Sequence, residues 1–156
     1  MVLGQIPLRI IFGLVTNEAF TGSIAKSPFN YKRHGVTSVQ LSIDGKVLPA
    51  RPLDTTNYID AYANLFRNTG QFCTNSTNGI TMNQFQNGCC VYIFNCRVDQ
   101  DIRNDIYPQR RRGTVSLRLT FESETTEGLT LVVISEFENV YIIDRLRNIT
   151  SDHTIH

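Results

Sequence analysis

Residues 114–121, TVSLRLTF, alternate polar and apolar side chains at every position. Val115, Leu117, Leu119 and Phe121 share one face and Ser116, Arg118 and Thr120 the other, the two-residue period of a half-buried strand. Such a face must be covered by another layer of structure. A second run, VTSVQLSI at 36–43, alternates through Val39, Leu41 and Ile43. It ends in Asp44-Gly45, a dipeptide suited to the left-handed backbone of a tight hairpin, and Lys46 to Leu48 form the return. Pro49 and Pro52 cannot donate to a ladder, so they are expected to end that return strand.

The rest of the chain repeats this character. Residues 7–15 and 89–96 (CCVYIFNC) read as strands, and 128–143 as an extended run broken near Glu138-Asn139. Residues 18–35, with Gly22, Pro28 and Gly35, read as an irregular stretch, and 97–113 as a polar loop. Residues 57–69 form the one strong helical pattern, with Tyr58, Ala61, Tyr62, Leu65 and Phe66 at helical spacing. Thr56 or Asn57 would cap its start and Gly70 would follow its end. A shorter helix at Met82–Gln86 would be capped by Thr81. Only 19% of the 156 residues are charged against 41% hydrophobic, so the polar surface relies on Asn, Thr, Ser and Gln, which disfavour helix interiors. The fold expected is all-β: a jelly-roll sandwich of two antiparallel sheets with one inserted short helix. It forms a single domain over 1–150 with a polar tail at 151–156.

The net charge of +1 creates no field that would draw the chain to nucleic acid or a membrane, and neither is expected as a direct partner. No stretch approaches the roughly 18 apolar residues that span a bilayer. The N-terminal MVLGQIPLRIIFGLV lacks a basic flank and is interrupted by Pro7 and Arg9, so it reads as a first strand, not a signal peptide. Without a signal peptide, the sequons at Asn75 and Asn148 read as chance matches, and Cys73, Cys89, Cys90 and Cys96 as free thiols with no metal-ligand spacing.

A search for chemistry returns little. His34 stands alone in a loop, and His153 and His156 lie in the tail. Asp99, Asp101 and Asp105 begin like a calcium loop, but no glycine stands at the sixth position and Arg110 occupies the twelfth, where a bidentate glutamate belongs. Glu136 and Glu138 would lie side by side on one strand face, not opposed across a substrate. Arg110, Arg111 and Arg112 form a basic run without interleaved aromatics. No catalytic residue, metal or cofactor is expected.

Three blocks in order, NEAFTGSIAKSPFNY (Asn17 to Tyr31), SVQLSIDGKVLPARPL (Ser38 to Leu53) and VVISEFENVYIIDRLRNI (Val132 to Ile149), are the most distinctive stretches, with YANLF (Tyr62 to Phe66) between the second and third. Together they resemble the C-terminal jelly roll of double-jelly-roll major capsid proteins of the adintovirus and Polinton (Maverick) type. The resemblance implies a structural shell component, a trimeric capsomer in contact with neighbouring capsid proteins, and residence in the virion after passage through host cytoplasm or nucleus. It also implies that the first jelly roll, and the opening strand of the second, lie outside this chain, which would then be a fragment or an endogenous viral relic. On that expectation the sandwich exposes an unpaired ladder and self-associates.

The residues expected to carry function are therefore contact residues. Phe20, Phe29 and Tyr31 in the long loop, and Arg110, Arg111 and Arg112 near Gly113, are the candidates. The alternative for the three rings is packing over the sandwich's own end. A different class of function, a carbohydrate- or ligand-binding jelly roll, would use Tyr58, Tyr62 or Tyr107 as stacking platforms.

Overall fold

A computed structural model describes residues 2–72, 74–75, 77–97, 111–138 and 141–151. Cys73, Ser76 of the first sequon, Asp99, Asp101, Asp105, Tyr107, Arg110, His153 and His156 lie outside the described residues. In chain order the elements are β1 (Val2–Gln5), β2 (Arg9–Thr16), α1 (Asn17–Thr21), β3 (Val36–Ile43), β4 (Lys46–Asp54), α2 (Ile59–Asn68), α3 (Met82–Asn87), β5 (Val91–Asn95), β6 (Arg112–Phe121), β7 (Leu129–Glu136), β8 (Tyr141–Ile143) and β9 (Ile149–Ser151). One sheet has the order β1-β6-β3-β4, a second β5-β2-β7, and β8-β9 form a separate hairpin. Every strand pairing is antiparallel.

The two larger sheets enclose one core. Ile10, Phe12 and Leu14 of β2 and Tyr92 and Phe94 of β5 join Val39, Leu41 and Ile43 of β3 and Val115 of β6. Phe12 contacts both β5 rings, at 5.3 Å from Tyr92 and 5.9 Å from Phe94 between centroids. The alternation in the sequence sets this register: Val39 faces Leu119, Leu41 faces Leu117 and Ile43 faces Val115. Arg118 and Thr120 point to solvent, as their positions require.

The single N-terminal strand expected is in fact two strands in different sheets. The ladder of the first sheet ends with Ile6 N donating to Arg111 O (2.8 Å), and that of the second begins with Leu8 N donating to Glu136 O (2.8 Å). Pro7, with no N–H to satisfy, stands at the crossing. The strand starting at Lys46 does not stop at Pro49 but continues to Asp54. It can do so because β4 is a sheet edge and the register jumps from Leu41↔Leu48 to Val39↔Leu53. Both prolines fall in that bulge, where no ladder donor is lost.

The described residues hold three helices: the two read from sequence, where the expected fold counted one inserted helix, and a further one, α1. The five-residue α1 falls in the stretch read as irregular; Thr16 Oγ1 accepts from Ala19 N at its start. The long helix begins at Ile59, with Asn57 Oδ1 accepting from Ile59 N (3.1 Å) while Tyr58 takes the left-handed cap position. Gly70 follows its end at φ 75°. The shorter helix has the expected Thr81 cap in a full capping box with Gln84. Among the described residues no helix is long and apolar enough to cross a membrane.

Candidate assembly surface

Among the described residues the second sheet is one strand narrower than the first, and the consequence falls on β7. Its register with β2 places Leu131 opposite Leu14 and Val133 opposite Phe12. Both β2 residues face the core, so Leu131 and Val133 lie on the core-facing side of the sheet. They are nevertheless 38% and 49% exposed, because among the described residues nothing covers the sandwich at this margin. On the opposite face Ile134 is 59% exposed, and Phe137 follows at 49%.

The four edges of the two sheets differ in how they are protected. β4 carries Pro49, Arg51 and Pro52. β1 is only four residues long. The free side of β5 is covered by α2: Asn64 Nδ2 and Asn68 Nδ2 both donate to Ile93 O, at 3.0 and 2.7 Å. Just ahead of β5, Tyr31 donates from its N to Gly88 O (2.8 Å) and accepts from Cys90 N (3.0 Å). The outer edge of β7 has eight residues, no proline, one charge and no partner strand among the described residues. That charge, Glu136, is held by Arg9 at 2.7 Å.

Downstream, the β8-β9 hairpin is held by its own turn. Asp144 Oδ1 accepts from Leu146 N (2.7 Å) and Asn148 N (2.9 Å), and its Oδ2 accepts from Asn148 Nδ2 (2.8 Å). The Asn148 side chain, ahead of these backbone N–H groups, holds the Asp144 carboxyl below its ordinary pKa. Tyr141, Ile142, Ile143, Leu146 and Ile149 are all exposed, and neither strand packs substantially on the sandwich. An isolated two-stranded hairpin is marginal in water.

The contact residues expected from sequence are dispersed. Phe20 on α1 and Phe29 in the following loop are exposed. Tyr31 is half-buried, its ring lying against Gly13 of β2, where an added Cβ would sit 2.5 Å from Tyr31 Cδ1. Arg111 and Arg112 are exposed at the start of β6, with Arg111 Nη2 4.0 Å from Asp44. Arg111 lies beside Ile6, at the opposite end of β2 from Phe20, a separation of roughly 25 Å along an eight-residue strand. These residues therefore do not converge on one surface. Tyr58 and Tyr62 pack their rings against Phe85, and Tyr62 donates to Ile80 O (2.8 Å), so neither is presented as a stacking platform.

A cleft of about 640 Å³ lies between the 26–35 loop and the Glu-rich turn, lined by Lys26, His34, Glu124 and Glu127 among others. Lys26 bridges Glu18 (2.7 Å) and Glu127 (3.7 Å). Burial lowers the His34 pKa from its ordinary value, partly countered by Glu127, and His34 Nε2 has no hydrogen-bond partner among the described residues. Among the described residues no three His, Cys, Asp or Glu side chains gather where they could hold a metal ion. Cys90 and Cys96 are buried free thiols; burial pushes the Cys96 pKa up to about 12, far from the thiolate that nucleophilic chemistry requires.

The chain is 35% identical over 152 residues to an uncharacterized protein of Caenorhabditis elegans, F54H12.2, and the match covers 92% of the chain. It spans 36% of that protein's own length. No family model and no solved structure matches it.

Sequence inspection missed β7 as a surface because an apolar run such as LTLVVI has the same composition in a central strand as at an edge. The available signal was the absence of glycine and proline from 129 to 143, which leaves a long extended segment without the usual edge protection.

Proposed function

We propose that this chain is a structural assembly module of the capsid jelly-roll type, a shell component that acts by burying its C-terminal margin against other polypeptides. The observation that carries this is the exposure of Leu131 and Val133 on the core-facing side of β7. A sandwich that leaves part of its own core uncovered is complete only when another chain supplies the missing layer. The exposed arm at 141–149 adds apolar surface beside it.

The strand connections support a jelly roll with one quarter altered. A jelly roll folds a long hairpin over on itself, so outer strands pair with outer and inner with inner. Here β1 pairs with β6, and β2 with β5, nested in that way and alternating between the sheets. Helix α2 lies on β5 where a further strand would continue the sheet. In the shell that the capsid resemblance implies, the arm is the surface turned towards the other subunits of a trimeric capsomer, and the β7 edge the one turned towards a neighbouring capsomer.

The test is electron microscopy and light scattering of the purified chain beside the Ile142→Ser, Ile143→Ser double variant. The expected result is discrete oligomers for the first and no species larger than a dimer for the second, with the melting transition retained because the arm packs little on the sandwich. Particles of single-chain size for both would overturn the proposal.

A further inference from the structure

We infer that β7 is a strand-pairing edge at which a second copy of this chain adds its own β7, antiparallel and two-fold symmetric about Val132. This rests on the assembly function proposed above and goes further by naming the partner and the register. Of the four sheet edges, three are shortened, interrupted by proline or covered by a helix, and among the described residues only β7 is left open. Natural sheets protect edges that must not pair, so the one left open is the one that pairs.

The backbone phase limits how this can happen. Asn17 N donates to Gly128 O (2.8 Å), and the register steps from that pair along β7 in twos. Thr130, Val132 and Ile134 therefore direct their N–H and C=O groups to β2, while Leu129, Leu131, Val133 and Ser135 direct theirs outwards. The other side of β2 agrees: Cys96 N donates to Leu8 O (2.9 Å), so alternate residues of β2 serve β5. An incoming strand can bond only to the outward set, and a symmetric copy must align its own outward set with it.

Centring the pair on Val132 uses the whole segment 129–135. It sets Leu131 against Val133 of the second copy and Leu129 against its Ser135. No charged residue occurs in 129–135, so a copy running antiparallel meets no like charge; Glu136, already paired with Arg9, falls outside the paired segment. Thr130, Val132, Val133 and Ile134 are β-branched and suit the continuous six-stranded sheet that results.

Amide hydrogen exchange by NMR, read residue by residue across a dilution series with sedimentation velocity alongside, tests this without altering the chain. The expected result is a dimer in which Leu131 and Val133 amides are protected and lose that protection on dilution, while Val132 and Ile134 stay protected throughout. A second measurement uses Val133→Pro, which removes an outward donor and spares the β2 ladder; it should be monomeric with its melting transition retained. Association with Leu131 and Val133 amides exchanging freely would overturn this pairing and leave assembly to the arm. A monomer at every concentration would overturn both this inference and the function it rests on.

Discussion

Gly13 and Tyr31 show how one position can determine what covers a sheet. The Tyr31 ring against β2 leaves no room for a Cβ at Gly13, and Val15, two residues on, is fully buried. Gly13→Ala should destabilise the fold by roughly 1–3 kcal/mol, the range for overpacking, measured as the urea midpoint. The cost should shrink in a Tyr31→Leu background, because the two residues share one contact. His34 supplies a pH dependence of known sign. Burial lowers its pKa in the fold, so the unfolded chain takes up a proton first as pH falls. Stability is full above the ordinary histidine pKa of about 6.5, falls as pH drops through it and levels off below the folded value. His34→Asn, which suits the left-handed backbone there (φ 49°), should flatten this limb in denaturation midpoints taken across that range.

At the level of elements, α2 acts as a substitute strand. Two asparagine amides on successive turns satisfy Ile93 O, so the edge of β5 is covered without a ladder. The Asn64→Ala, Asn68→Ala pair should cost about 1–3 kcal/mol through the orphaned carbonyl, measured by thermal melting, and either single variant less, because one donor remains. Some elements were plain from sequence. β6 alternates strictly and β3 does so from Val39 to Ile43, the Asp44-Gly45 turn fixes the hairpin of β3 with β4, and Thr81 with Gln84 marks a helix start. Others were hidden for physical reasons. Nothing in VLGQIPLRIIF shows that the chain changes sheets at Pro7, because both halves are apolar. β4 passes through two prolines because it is an edge, which is a tertiary fact. At five residues α1 is too short to show a helical period, and β8 and β9 have no buried face to create alternation.

For the whole molecule, the same limit applies to function. The aromatic and arginine residues chosen as contacts were conspicuous in sequence, yet Phe20 and Arg111 sit at opposite ends of β2. The open margin at β7 follows from the two sheets having different widths, which no local pattern records. Because that margin and the arm are apolar, association should strengthen in sodium sulfate and not weaken with salt as charge pairing would; light scattering at two salt concentrations checks this. The most direct measurement is sedimentation velocity of the unmodified chain over a wide concentration range. A species of more than one chain that dissociates on dilution is the predicted result. A single-chain species throughout, with a sharp and concentration-independent melting transition, would contradict the view that this fold is completed by other polypeptides.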